Sequence, residues 1–158
     1  MELRKFQDAD INQVVTLFYQ TVHSVNKQDY SQEQLDAWAP KDEEILKRKT
    51  WKESMNLNIT YIAEMNGNIV GFSDMTQDGY LNRLYIHKDY QRQGIASALV
   101  SKLESQAREL GLVELVTEAS ITAKSFFESL GYRVILPQEV ERKGIQLVNY
   151  KMTKQLLS

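Results

Sequence analysis

Apolar residues recur at helical spacing near the start of the chain. Ile11, Val14, Val15, Phe18, Val22 and Val25 follow the i, i+3, i+4, i+7 rule and predict an amphipathic helix. It follows a short opening strand, Leu3 to Phe6, with Asp8 and Asp10 as candidate caps. Ser31 and Gln34 form an S-x-x-Q capping box ahead of Leu35 and Trp38, so a second, short helix is expected there, stopped by Pro40. Asp42 is the candidate cap of a third, highly charged helix to about Met55.

The period changes near residue 59. Ile59 to Met65 and Ile69 to Met75 are apolar or β-branched runs separated by Asn66-Gly67, which predicts an antiparallel hairpin. Asp78-Gly79 turns into a strand from Tyr80 to Ile86. A helix follows, with Ala96, Leu99, Val100, Leu103, Ala107 and Leu110 on one face and Gly111 beyond its end. A strand (Leu112 to Thr117), a helix (about Thr122 to Leu130, closed by Gly131) and two strands joined at Lys143-Gly144 (Tyr132 to Val140, Ile145 to Met152) complete the chain. This order predicts an α+β fold with a mixed central β-sheet covered by helices on both faces.

Composition narrows the chemistry. The 158 residues, of which 42% are hydrophobic and 25% charged, fit one domain over 1–158 that needs no disulfide or metal for stability. With no cysteine and two histidines, the chain offers no thiol nucleophile and no usual zinc set, so no metal site is expected. A formal net charge of −2 gives no basic field for nucleic acid. Neither a signal peptide nor a membrane-length apolar run is read, and a cytoplasmic location is the expectation.

One segment carries candidate chemistry. Between the strand ending at Ile86 and the helix starting near Gly94 lies His87-Lys88-Asp89-Tyr90-Gln91-Arg92-Gln93-Gly94-Ile95-Ala96. A helix start leaves its first N–H groups unpaired and carries partial positive charge, so it can take up phosphate oxygens. Gly94 and Ala96 keep side chains out of the way, and Arg92 adds a cation. The same residues also fit a plain strand-to-helix turn with a solvated arginine.

With its flanks, Leu84 to Leu99 closely resembles the acetyl-CoA signature of the GNAT superfamily of N-acetyltransferases, with its Q/R-x-x-G-x-G/A core. Ala123 to Tyr132 resembles the family's second CoA-contacting helix, and the element order is that of the GNAT acyltransferase fold. The stretches Val22-His23 and Tyr30 to Pro40 are similar to a bacterial branch whose acceptors are largely undefined. The resemblance implies acetyl-CoA as cosubstrate. The backbone of Gln93, Gly94, Ile95, Ala96 and Ser97, with Gln91 and Arg92 beside it, would hold the pyrophosphate. Leu84, Tyr85 and Ile86 would pair with the pantetheine arm where strands four and five splay. Ser120 stands where many relatives have an asparagine on the cofactor, Phe126 would pack near the thiol, and Lys124 and Ser125 would lie toward the cofactor's outer part.

The chain departs from the family at Phe127, where many relatives carry the tyrosine that protonates the leaving thiolate. Candidates to supply that chemistry are Tyr80, placed by strict alternation on the face of Asn82, Leu84 and Ile86, then Tyr150 on the last strand, and Glu118 as a base acting through water. Each also fits ordinary packing or surface exposure. His23, Tyr30 and Trp38 are the candidate acceptor contacts, the two aromatics as a pocket for an amine or as packing of the helices on the sheet. The expected function is acetyl transfer to a primary amine of a small molecule or peptide, and a homodimer is admitted. The alternative is a CoA-binding regulatory module without transferase activity, for which Phe127 is the support.

Overall fold

The computed structural model describes residues 1–156. Seven strands form one sheet in the order β1-β2-β3-β4-β5-β7-β6. These are β1 (Glu2–Lys5), β2 (Ile59–Met65), β3 (Asn68–Met75), β4 (Tyr80–Ile86), β5 (Glu114–Ser120), β6 (Arg133–Arg142) and β7 (Ile145–Gln155). All neighbours are antiparallel except β4 and β5. The sheet is therefore mixed, as the order of elements required. The helices are α1 (Ile11–Ser24), α2 (Gln32–Trp38), α3 (Glu44–Leu57), α4 (Ile95–Glu109) and α5 (Lys124–Ser129). Among the described residues, no helix is long and apolar enough to cross a membrane.

Helices cover both faces. On one, Ile95, Leu99 and Leu103 of α4 bury against Val70, Leu81, Leu115 and Met152. On the other, Val14, Val15 and Phe18 of α1, Leu35 of α2 and Met55 of α3 bury against Ile62, Phe72 and Leu147. Each fully buried aliphatic or aromatic side chain contributes about 1.5–3 kcal/mol relative to exposure, so the two layers hold the sheet between them. Gly71 of β3 lets α4 approach: a Cβ there would stand 2.8 Å from Ile86 Cδ1 and 3.1 Å from Ile95 Cγ2. The start of α4 is thereby brought down onto the end of β4.

The predicted turns hold. Asn66 and Gly67 (φ 52° and 81°) and Lys143 and Gly144 (φ 51° and 78°) carry the positive angles of tight hairpins. Ser31 and Gln34 complete their capping box: the Gln34 N–H donates to Ser31 Oγ, and the Ser31 N–H to Gln34 Oε1.

Three capping expectations fail. Asp10 does not cap α1 with its side chain. Its carboxylate instead accepts from the Gln7 N–H (2.8 Å) and from Arg4 (2.8 and 2.9 Å), because a 3₁₀ turn, Asp8–Asp10, precedes the helix. Asp8 accepts from Asn56 at 2.7 Å. Asp42 lies in another 3₁₀ turn, Lys41–Glu43, so α3 begins two residues later, at Glu44. Boundaries also move: β5 runs to Ser120 and β7 to Gln155, while α5 is one turn shorter than its periodicity suggested.

Candidate active site

The parallel ladder between β4 and β5 has two rungs, Tyr80 with Val116 and Leu81 with Thr117. Beyond them the strands part. The Thr117 hydroxyl donates to the Leu81 carbonyl at 2.9 Å, where the ladder ends. The rest of β4 stays paired with β3 on its other side as far as Ile86 with Gly71. The His87 N–H donates to Val70 and the Arg83 carbonyl accepts from Ser73, so odd-numbered residues face β3. By alternation, the peptide groups of Leu84 and Ile86 face the opening. The Ile86 carbonyl accepts there from Thr21 (2.9 Å) and from the Gln91 amide (2.8 Å).

This opening is the mouth of a cleft of about 1270 Å³ that runs from the N-terminus of α4 to the aromatic rings of α2. Gly94, at φ 81°, turns the chain into α4 without a side-chain cap. The first bond within the helix goes from the Ala98 N–H to the Gly94 carbonyl, so the N–H groups of Ile95, Ala96 and Ser97 have no helical partner. A Cβ on Gly94 would meet nothing within 4 Å. Arg92 is also left-handed, at φ 62°, a cost normally kept where a loop's shape matters. The Gln91 side chain, tied to Ile86 and to the His87 carbonyl (3.3 Å), fixes that shape from below.

Leu84, Tyr85, Ile86, Gln91, Arg92, Gly94, Ile95, Ala96, Ser97, Ser120, Ser125 and Phe126 all line the cleft, as do Glu118, Tyr30 and Trp38. Gln93, Lys124, Tyr80, Tyr150 and His23 do not. The imidazole Nε2 of His23 lies 3.0 Å from the Ala39 carbonyl, tying α1 to the end of α2. Tyr150 packs on the α4 side of the sheet with Lys124 Nζ 5.1 Å from its ring centroid. Ser120 Oγ accepts from the Ala123 N–H (3.1 Å), which shapes the turn into α5. Phe127 is buried edge-on against Tyr132, and the Tyr132 hydroxyl donates to Glu104 at 2.8 Å.

Strict alternation misplaces Tyr80. Asp74 pairs with Arg83 and Met75 with Leu81, which leaves Asn82 as an extra residue, a β-bulge. Leu81, Leu84 and Ile86 therefore share the α4 face, and Tyr80 lies on the other, with Arg83 and Tyr85. There the Tyr80 phenol stands beside Glu118. Burial first and that carboxylate second push it up to about 12, against the pull of Arg142. A visible signal preceded this: the apolar residues of β4, at 81, 84 and 86, change phase at Asn82.

The other end of the cleft is aromatic. Tyr30 and Trp38 meet edge-on at 5.3 Å, and the Tyr30 hydroxyl donates to the Val148 carbonyl (2.7 Å) while accepting from the Ile121 N–H (2.9 Å). Tyr85, its phenol pushed up to about 12 by burial, lies behind them. Thr21, Gly71, Asn82, Arg83 and Thr117 shape this site and were not singled out by motif. Of these, Gly71, an isolated glycine inside a strand pattern, and Asn82, where the apolar phase of β4 changes, carry a local sign.

The acetyltransferase (GNAT) domain family matches residues 26–154. The uncharacterized N-acetyltransferase YafP of Escherichia coli K12 is 34% identical over 96% of this chain and 94% of its own. The crystal structure of a GCN5-related N-acetyltransferase from Rhodopseudomonas palustris superposes with a TM-score of 0.91 at 28% identity, covering 98% of this chain and 94% of that one. The PaiA N-acetyltransferase of Thermoplasma acidophilum, solved with coenzyme A, shares the fold at a TM-score of 0.77 and 18% identity, with 98% of each chain covered. The chain belongs to the acetyltransferase (GNAT) domain family and is an N-acetyltransferase with that family's fold.

Proposed function

We propose that this chain transfers the acetyl group of acetyl-CoA directly to a primary amine. The observation that carries the reading is one cleft joining two features: the two-rung ladder that opens between β4 and β5, and the uncapped N-terminus of α4. An extended arm fits the first and a phosphate the second. Acetyl-CoA supplies the activated thioester.

The N–H groups of Gln93, Gly94, Ile95, Ala96 and Ser97 hold the pyrophosphate, with the Arg92 cation beside them and Gln91 fixing the loop. Leu84 and Ile86 offer peptide groups to the pantetheine arm, and an N–H there polarises the thioester carbonyl as its oxygen gains charge. Ser120, whose hydroxyl hydrogen is free to donate, contacts the arm from β5. Phe126 packs at the thiol end, with Lys124 and Ser125 farther out. The amine lies toward Tyr30 and Trp38, and Glu118 takes its proton through water. As the N–C bond forms, the C–S bond breaks and the thiolate takes a proton through water, from Tyr80 beside the cleft-lining Glu118 in the first instance and from Tyr150 in the second. Holding both substrates in one cleft supplies much of the rate gain.

Calorimetry with acetyl-CoA and thiol release over a panel of amines test the reading together. Binding with thiol release supports it. Tight binding with no release for any amine points to a CoA-binding module without transferase activity.

A further inference from the structure

One carbonyl in the cleft is held more firmly than a strand requires. The Ile86 oxygen accepts from the Thr21 hydroxyl at 2.9 Å and from the Gln91 amide at 2.8 Å, so both of its lone pairs are taken. The N–H of the same peptide, that of His87, donates to the Val70 carbonyl at 2.8 Å. Three hydrogen bonds therefore fix this peptide plane. What Ile86 leaves to a bound molecule is its own N–H, which by alternation faces the opening beyond the last β4–β5 rung. Only the φ and ψ of that one residue separate the N–H from the carbonyl, so holding one aims the other.

Gln91 belongs to the loop before α4, whereas Thr21 reaches the carbonyl from α1. Both line the cleft with Ile86. Thr21 is 5% exposed, in a stripe otherwise made of Val14, Val15, Phe18 and Val22. A valine would bury there at no polar cost, but a hydroxyl must find a partner. Helical threonines commonly turn to a carbonyl of the preceding turn. Here the hydrogen goes to β4 instead and is not available to a bound molecule. Tyr19 and His23, each two residues and about 200° round the helix from Thr21, hold α2. The Tyr19 hydroxyl donates to the Pro40 carbonyl at 2.6 Å, and His23 Nε2 lies 3.0 Å from the Ala39 carbonyl. Since α2 ends in Trp38, α1 joins the aromatic end of the cleft to the Ile86 peptide.

We propose that Thr21 is a positioning residue for acetyl transfer. It acts through Ile86, aiming that residue's N–H at the thioester carbonyl while α1 keeps the aromatic end in fixed relation to it. The proposal rests on the acetyl-transfer reading above, in which an N–H of β4 polarises the thioester.

Thr21→Val keeps the shape and removes the donor, Thr21→Ala removes the donor and a methyl group, and Thr21→Ser keeps the donor. Each protein is bound to acetyl-CoA isotopically labelled at the acetyl carbonyl carbon, and the carbonyl stretch is read by difference infrared spectroscopy. Thiol release is followed with the amine that the parent protein uses fastest. In the parent protein the stretch is expected below that of free acetyl-CoA, as for a carbonyl accepting a well-aimed hydrogen bond. Thr21→Val and Thr21→Ala should bring it back toward the free value and lower kcat by about tenfold, with acetyl-CoA affinity and acceptor KM within about twofold of the parent. Thr21→Ser should keep the parent frequency and kcat. A parent frequency or a parent kcat in both donorless variants, an equal loss in Thr21→Ser, or a loss confined to acetyl-CoA affinity overturns the proposal. A frequency in the parent protein equal to the free value overturns it as well, while thiol release leaves acetyl transfer standing. A lowered frequency that needs the Thr21 hydroxyl, with no thiol release for any amine, overturns acetyl transfer and keeps Thr21 as the residue that aims the N–H. No binding of acetyl-CoA overturns both.

Discussion

The Thr117 hydroxyl donates a 2.9 Å hydrogen bond to the Leu81 carbonyl at the last rung between β4 and β5. Both residues are buried, so the bond fixes where the strands part. Thr117→Val keeps the shape and removes the donor. Stability measured by urea unfolding should fall by about 1–2 kcal/mol, and acetyl-CoA affinity should fall with it, since the opening loses its hinge point. An unchanged affinity would show that the splay is set elsewhere.

Gly94 separates binding from folding. Its φ of 81° strains any L residue, but a Cβ would project into open space rather than into protein. Gly94→Val should cost about 1–2 kcal/mol of stability, from the left-handed conformation. Its acetyl-CoA affinity should fall more than tenfold, because the branched side chain covers the N–H groups at the start of α4. Calorimetry checks this, with Gly94→Ala expected to lie between. Equal affinities in all three proteins would move the pyrophosphate away from this turn.

Tyr80, at about 12, stays protonated across the neutral range and can donate. Tyr80→Phe should retain fold and acetyl-CoA affinity while kcat falls roughly ten- to a thousandfold. Wild-type kcat in both Tyr80→Phe and Tyr150→Phe would assign the proton to water. The same phenols govern alkaline stability. Tyr19, Tyr80 and Tyr85 are each pushed up to about 12 from 10. As pH rises through this interval the unfolded chain loses phenolic protons first, so these groups leave stability level below about pH 10 and lower it between about 10 and 12. Urea midpoints across that interval should decline, and by less in Tyr80→Phe than in the parent protein.

Trp38 ends α2 with its ring against Tyr30 and one face on the cleft. Trp38→Ala should raise the acceptor KM or lower turnover and leave acetyl-CoA affinity nearly intact. Loss of the edge-on pair should also lower stability, by about 0.5–1.5 kcal/mol beyond the area lost. An unchanged KM in a folded protein would assign Trp38 to packing alone.

The sequence by itself determined the elements and the glycine turn that leaves the start of α4 uncapped. These rest on local physics: hydrophobic period for the helices and hairpins, paired positive-φ residues for the turns at Asn66-Gly67 and Lys143-Gly144, and a glycine at a helix start for the cradle. The capping box at Ser31 succeeded for the same reason, since donor and acceptor are three residues apart. The expectations at Asp10 and Asp42 failed because 3₁₀ turns precede both helices and cations from outside those turns, Arg4 and Lys143, pair with the carboxylates. The face of Tyr80 was hinted at by the phase change of apolar residues at Asn82 but decided by tertiary structure. One bulge residue, Asn82, changes the phase of β4, and whether a residue is paired or extra depends on the register with β3. Tertiary structure also decided that His23 serves a backbone carbonyl, and that Lys47 and Arg83 meet on one ring of Trp51. Contacts between residues 36 positions apart follow from how α3 lies across the sheet, and no periodicity along the chain encodes that placement.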